Sequence, residues 1–386
     1  MSGGVDSSLT AALLVEQGYD VTGVYMKNWT MDLPGMKCPW ADDLADAKRV
    51  AVRLGIDFKV FDFENEYKHK VVDYMINEYK KGRTPNPDIM CNQEVKFKLF
   101  LETALEDGAD MIATGHYARV MHNIENGACI SISSERLRAG SDKGPGALSN
   151  SGCRCSDKTE MQLPLGEQEK GILKMAVDKK KDQTYFLCRV TGEALGKTLF
   201  PIGEFTKPQV RKMATERGLS TATKKDSQGI CFVGQVGIRD FLSQYVDQKP
   251  GDIKDSKSGK VLGRHDGAIF YTIGQRHGME IGGGLPYYVV GKDMDKNEVY
   301  VTTNLNDDTL WKNVINLSNL HWINEAPNDG KYQIRVRHQA PLADALLELK
   351  SDVVNLKLDN PERAIAPGQS VVIYRDDICL GGGIII

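Results

Sequence analysis

Two groups of residues in this chain have types and spacing that suit chemistry. The first is Ser2-Gly3-Gly4-Val5-Asp6-Ser7-Ser8. Its glycines allow a sharp turn and let a ligand approach backbone that a Cβ would shield. The hydroxyls of Ser2, Ser7 and Ser8 suit phosphate oxygens, and Asp6 suits a metal ion bridging them. Leu9, Ala12 and Leu13 follow at helical spacing, which places the loop's N–H groups at a helix N-terminus, an anion site. No Gly-Lys-Ser/Thr follows the glycines, so the loop is not of the Walker type. The second group is split along the chain. Pro85-Asn86-Pro87 makes a rigid segment, and Asp88 precedes Cys91 by three positions. A potential acid/base and a potential nucleophile thus lie close together. Gly229-Ile230-Cys231-Phe232-Val233-Gly234 carries another thiol after Lys224-Lys225-Asp226-Ser227, whose cations favour a thiolate. Each half also suits a plain structural role: a helix turn capped by Asp88 over a buried Cys91, and a buried strand between glycines.

The elements that must position these groups follow from periodicity. Residues 21–26 and 58–63 read as strands, with a helix face at Leu44, Ala47, Ala51 and Leu54 between them. Tyr67, Val71, Met75 and Tyr79 recur every four residues, an amphipathic helix that stops before Gly82. Another helix carries Phe97, Leu101, Ala104 and Leu105, and residues 110–114 form a short strand. This alternation predicts an α/β domain with a doubly wound, mainly parallel sheet and ligands at the strand C-terminal ends. A buried strand ordinarily leads into a phosphate loop of this kind. None precedes Ser2, so the first strand is expected to be missing or replaced by another segment.

From about residue 123 to 180, Ser, Gly, Lys and Glu dominate without a period, predicting a largely disordered insertion that includes Cys153 and Cys155. The next stretch reads as mixed and mostly helical, with Lys207-Pro208 opening a helix through Val210, Met213 and Ala214. Residues 268–273, 287–290, 299–302, 332–338 and 370–374 then read as strands of a small antiparallel barrel. The expected division is a catalytic domain over 1–197, a central domain over 198–256 carrying the second cysteine, and a C-terminal β-barrel over 257–386.

The 386 residues leave room for two or three cores. No apolar run is long enough to cross a bilayer, so no membrane partner is expected. Net charge is −3, so nucleic-acid binding would rest on local basic clusters. Candidates are Lys80-Lys81-Gly82-Arg83, Lys179-Lys180-Lys181, Lys224-Lys225 and Arg335-Val336-Arg337-His338. Eight cysteines with no Cys-x-x-Cys pair argue against a disulfide scaffold or zinc ribbon and fit a reducing compartment.

The opening string resembles the PP-loop of ATP pyrophosphatases, which adenylate a substrate oxygen and expel pyrophosphate. Further strings extend the likeness: Met26-Lys27-Asn28-Trp29, Gly82-Arg83-Thr84-Pro85-Asn86-Pro87-Asp88, Ala113-Thr114-Gly115-His116-Tyr117 and Lys181-Asp182-Gln183. Gly229-Ile230-Cys231-Phe232, Thr272-Ile273-Gly274-Gln275-Arg276 and Cys379-Leu380-Gly381-Gly382-Gly383 complete it. Together they resemble, almost end to end, the tRNA-specific 2-thiouridylases of bacteria and mitochondria.

That resemblance implies a PP-loop domain of the adenine nucleotide α-hydrolase type and ATP-dependent 2-thiolation of a tRNA wobble uridine, yielding 2-thiouridine, AMP and pyrophosphate. It assigns ATP contacts to Ser2, Gly3, Gly4, Val5, Asp6, Ser7, Ser8, Met26 and Gly115, and Mg²⁺ to Asp6. It assigns tRNA contacts to Asn86, Pro87, Asp88, His116, Lys181, Asp182, Gln183, Val336, Arg337 and Gln369. It gives the persulfide to Cys231, the nucleophile role to Cys91 and proton handling to Asp88. A persulfide-donor protein is the implied sulfur source, and a monomer the implied state. The chemistry is coherent: adenylation turns the uracil oxygen into a leaving group, and a persulfide yields one sulfur where a simple thiol would stay attached. Direct persulfide attack and prior release of hydrosulfide by Cys91 both remain open. A PP-loop ligase without sulfur transfer is the competing function. The long segment after Tyr117 and Arg337-His338-Gln339 are similar to eukaryotic members and lead to an expected mitochondrial location, without a transit segment in this sequence; the cytoplasm is the alternative for a bacterial source.

Overall fold

A computed structural model describes residues 1–30, 40–122, 170–225, 237–279, 281–282 and 284–386. Helix α1 (Val5–Glu16) follows the phosphate loop directly and buries Leu9 and Leu13 completely. Strands β1 (Thr22–Lys27) and β2 (Asp57–Asp62) pair in parallel from Thr22↔Asp57 to Lys27↔Asp62, joined by helix α2 (Trp40–Leu54). Helix α3 (64–80) buries Tyr67, Val71 and Met75 as their spacing predicts, and helix α4 (87–106) buries Val95, Phe97 and Leu101. Both contain a wide π-helical stretch, Lys68–Val72 in α3 and Cys91–Leu99 in α4. Such stretches often accompany functional sites.

The boundary expected at residue 197 falls inside this domain. Strand β3 (Ile112–Ala113) pairs in parallel with Thr198–Leu199, a strand too short to carry a sequence period. Helix Lys207–Glu216 then packs on α1, and the Arg217 guanidinium clasps the Glu16 carboxylate at 2.7 and 2.8 Å. The packing of the first domain therefore continues past residue 197, through Arg217 on Glu16 and Lys224 on Asp43 and Asp46.

The expected insertion is also narrower. Strands β4 (Ala118–His122) and β5 (Gly171–Met175) form an antiparallel hairpin, from Ala118↔Met175 to His122↔Gly171. Residues 170–180 are thus built into the domain, and the remainder of the predicted segment, with Cys153 and Cys155, lies outside the described residues.

The single barrel expected over 257–386 resolves into two units. Strands Gly251–Asp255, Val261–His265, Tyr288–Asp293 and Glu298–Thr302 form a four-stranded sheet that includes one parallel pair. The run at 268–273 is not a strand. Ala268–Phe270 forms a 3₁₀ turn whose buried aliphatic residues pack toward Ile238–Leu242, and a short apolar run reads alike for either form.

The closed barrel has six antiparallel strands: Trp311–Trp322, Gly330–Arg335, Ala343–Lys350, Val353–Arg363, Ser370–Arg375 and Ile378–Ile385. The first and last close it, through Leu317↔Ile385 and Trp322↔Gly381. Glycine is required on both sides of the last strand: a Cβ on Gly381 would lie 2.2 Å from the His321 carbonyl oxygen across the seam, and one on Gly382 2.0 Å from that of Val371 on the preceding strand. Leu317, Ile334, Leu347, Leu356 and Ile373 fill the interior with no exposure, each worth about 1.5–3 kcal/mol of burial. Strand β5 adds to the last barrel strand at Ile378↔Lys174, and Asp377 takes Arg119 and Lys174 at 2.9 and 3.0 Å.

Candidate active site

The phosphate loop is shaped by its own short residues. Gly3 adopts φ +71°, and a Cβ there would meet the Asp43 carbonyl oxygen at 2.3 Å. Gly4 caps α1 in an extended conformation with no side-chain cap, so first-turn N–H groups point toward the loop mouth. Ser7 Oγ accepts from the Ser2 N–H at 3.0 Å and bonds Ser2 Oγ at 3.1 Å, which draws the loop closed. Ser8 Oγ donates to the Gly4 carbonyl at 2.8 Å. Gly115 presses against this turn, since a Cβ there would lie 2.8 Å from both Asp6 C and Ser7 N. Met26 sits half-buried on β1 and packs against the main core.

Asp6 is the electrostatic centre of the loop. Lys207 Nζ lies 2.9 Å from both carboxylate oxygens, and the Tyr117 hydroxyl donates to Oδ1 at 2.9 Å. The same ammonium sits 5.6 Å from the Tyr117 ring centroid. The sequence marked Lys207 only as a helix start and Tyr117 only as part of a matching string. The signal for Lys207 was a cation placed before a proline at a helix N-terminus. The Asp6 side chain retains 32% exposure, so it stays reachable. Ser8 is completely buried with its hydroxyl on the Gly4 carbonyl, so the contact expected of it gives way to a structural role. Orphan helix N–H groups, the Ser2 and Ser7 hydroxyls and one accessible carboxylate fit a nucleotide triphosphate with Mg²⁺.

The 82–92 segment is placed from outside. Thr84 N–H donates to the Pro367 carbonyl of the barrel at 2.8 Å, and Thr84 Oγ1 meets Thr272 Oγ1 of the central sheet region at 3.1 Å. Gly368 (φ +92°) has no room for a Cβ, which would lie 2.7 Å from Thr84 N. Three parts of the chain thus converge on one loop. Asn86, not Asp88, is the helix cap: its Oδ1 accepts from the Asp88 and Ile89 N–H groups at 3.1 and 3.2 Å, with Pro87 in the first turn. That leaves the half-buried Asp88 carboxylate out of the capping role. Cys91 follows at the start of the π-helical stretch and is fully buried, and Asn92 Nδ2 donates to the Phe186 carbonyl at 3.0 Å.

The basic and polar strings behave unequally. Asp182 is 1% exposed and accepts from the Ala176 N–H, the Thr184 hydroxyl and Arg335 at 3.0, 2.8 and 2.8 Å. Its side chain organises the interior of the interface and does not face a substrate. Gln183 braces the Tyr117 backbone with its own N–H and with its side-chain Oε1, while Lys181 is half-buried nearby. Val336 is buried, Arg337 donates to the Arg363 carbonyl at 2.9 Å, and Gln369 is half-buried in the turn that follows Gly368. His116 packs between Phe97 and Phe200, and desolvation, then Lys96, holds its imidazole well below the usual range, hence neutral. Lys224 lies 2.7 and 2.6 Å from Asp43 and Asp46, so its charge is committed to α2 and not left to bias a thiol. Among the remaining described thiols, burial pushes Cys188 up to about 12 and Cys379 well above the usual thiol range. Cys231 lies outside the described residues.

Family models match this layout domain by domain. A tRNA methyl transferase HUP domain matches residues 1–141 and 157–235. A tRNA methyl transferase PRC-barrel domain matches 239–303, and an aminomethyltransferase β-barrel domain matches 312–385. The tRNA-specific 2-thiouridylase MnmA of Pseudomonas aeruginosa (strain UCBPP-PA14) is 43% identical over 392 residues, covering 100% of this chain and 92% of that protein. The proteins of the same name from Bacillus mycoides and Bacillus licheniformis are 41% and 42% identical, each covering 100% of this chain and 93% of theirs. The chain belongs to the tRNA-specific 2-thiouridylase family. These 2-thiouridylase relatives are bacterial, so the mitochondrial expectation has no support from them. The HUP-domain match likewise runs past residue 197.

Proposed function

We propose that this chain replaces the 2-oxygen of a tRNA wobble uridine with sulfur at the expense of ATP. The observation that carries the reading is the phosphate loop around Asp6 in a chain of 2-thiouridylase lineage. ATP is the co-substrate held by residues 2–8, with Gly115 closing the turn behind them and Met26 on the adjacent strand. Mg²⁺ supplies charge neutralisation at the phosphates, and Asp6 is its protein ligand. Transfer of adenylate to the uracil oxygen releases pyrophosphate and makes that oxygen leave as part of AMP.

Sulfur comes from a persulfide on Cys231, loaded by a donor protein. The terminal sulfur attacks C2 and AMP departs; the Cys91 thiolate then attacks the Cys231 sulfur. That breaks the S–S bond to the base, leaves one sulfur on the uridine and forms a Cys91–Cys231 disulfide, which external thiol reduces. Attack by Cys91 first, with hydrosulfide as the nucleophile toward C2, gives the same products. Asp88 handles the protons beside Cys91. Burial of Cys91 requires the 82–92 segment to open when tRNA engages. The tRNA meets Asn86, Pro87, His116, Lys181, Gln183, Arg337 and Gln369, and the enzyme works as a monomer. Bacterial kinship favours the cytoplasm.

The test is to incubate the protein with tRNA, ATP, Mg²⁺ and a persulfide source and to analyse digested RNA by mass spectrometry. A nucleoside heavier by the oxygen-to-sulfur exchange supports the reading. Pyrophosphate release with unmodified RNA would instead favour a ligase without sulfur transfer. Asp6→Ala is expected to lower pyrophosphate release by at least about a hundredfold, and normal turnover in that variant would remove the metal role.

A further inference from the structure

We propose that Arg335, Asp182 and Tyr117 are positioning residues in a hydrogen-bonded relay that couples tRNA on the barrel to nucleotide in the phosphate loop. The proposal rests on the thiolation reading and adds regulation of that same site.

The relay begins where Arg335 ends a barrel strand, directly before Val336 and Arg337. Its guanidinium donates to Asp182 at 2.8 Å, with side chains only 8% and 0% exposed. Three donors converge on that carboxylate, so its place is tightly specified. Gln183, the next residue, donates its N–H to the Tyr117 carbonyl at 2.8 Å and accepts the Tyr117 N–H on Oε1 at 2.9 Å. This reciprocal pair fixes Tyr117, whose hydroxyl reaches Asp6 at 2.9 Å. Two more barrel contacts hold the same segment: Gln339 Nε2 donates to the Lys180 carbonyl at 3.1 Å, and His338 packs against Phe186 with tilted rings whose centroids are 4.3 Å apart.

The physical consequence follows from burial. Separating Arg335 from Asp182 would leave an uncompensated charge in the interior, which is far costlier than shifting the pair together. Movement of the 336–338 segment under a polyanion therefore passes to Gln183 and Tyr117 and so to Asp6. There Lys207 competes for the same oxygens, and a metal ion gains Asp6 only as that ammonium yields. The position of Tyr117 biases that exchange. Coupling of this kind is a free energy shared by two sites and must be reciprocal.

The experiment measures binding of a non-hydrolysable ATP analogue with Mg²⁺ to the full chain by calorimetry, with and without an unmodified tRNA transcript. In the unaltered protein, tRNA should tighten the analogue by about fivefold or more, and the analogue should tighten tRNA by the same factor. Tyr117→Phe keeps the ring and removes only the hydroxyl; it and Arg335→Gln should each bring the factor close to one. The double variant should be no worse than the worse single, as expected for members of one chain. A factor of one in the unaltered protein overturns the relay, as do folded variants that bind both ligands with the original factor. If Arg335→Gln loses its melting transition, Tyr117→Phe alone decides. Absence of any tRNA binding by the unaltered protein would instead overturn the thiolation reading on which the relay rests.

Discussion

The phosphate loop and the 82–92 loop solve the problem of positioning in opposite ways. The first is made mostly by neighbours in sequence: two glycines, the bonded pair Ser2 and Ser7 and the start of α1, with Gly115 pressed behind. The second is rigid in sequence, through its prolines, yet held in place by Thr272 and by Pro367 and Gly368 from distant parts of the chain. The shape of the phosphate loop is thus set largely by its own sequence, with Asp6 alone fixed from afar by Lys207 and Tyr117, whereas the placement of Cys91 depends on the docking of three distant parts of the chain. Opening that docking is a natural step for a loop whose thiol is buried at rest.

Substitutions should separate the two regions. Cys91→Ser carries the largest expected effect: thiolation falls on the order of a thousandfold, while analogue affinity measured by calorimetry is unchanged. Next comes Gly115→Ala, whose new Cβ would sit 2.8 Å from the backbone of Asp6 and Ser7. A shift of the loop by that methyl should weaken analogue binding and adenylation by about a hundredfold, without altering the melting of the barrel. Thr272→Val removes one hydroxyl bond to Thr84, worth about 1 kcal/mol. It should slow thiolation about fivefold with analogue affinity intact. An equal loss of affinity would show that the regions are not separable.

The smallest effect is one of pH. Burial lowers Lys292, which donates to the Tyr271 carbonyl at 2.8 Å beside the same loop, from 10.5 to about 8. The folded state then binds fewer protons than the unfolded state between those two values, so this residue makes stability rise with pH across that window. Lys292→Met should flatten the rise in melting temperature between pH 8 and 10. An unchanged slope would show that Lys292 titrates normally in the fold.

What could be read from sequence divides along the same line. The phosphate loop, α1 and the helix bearing Tyr67, Val71, Met75 and Tyr79 were legible because period and local chemistry agree there. Thr198–Leu199 was not, since two residues have no period and their partner Ile112–Ala113 is remote. The β5 strand was hidden behind a compositionally polar segment, although Ile172, Leu173 and Met175 gave an apolar hint. Lys207 and Arg335 escaped because a cation's partner is set by tertiary contact: Asp6 and Asp182 share no motif with them. Asp182 was assigned to the substrate through family likeness, and its burial shows that a residue in a matching string can support the site from beneath.

The most direct test of the central claim is a single turnover without reductant, started from enzyme loaded with one persulfide, with ATP, Mg²⁺ and excess tRNA. Pyrophosphate, thiolated nucleoside and protein disulfide are then quantified together, the last by peptide mapping. Equal amounts of all three are expected, with a disulfide joining Cys91 to Cys231. Thiolation at the normal rate in Cys91→Ser, or a disulfide formed instead by Cys188 or Cys38, would contradict it.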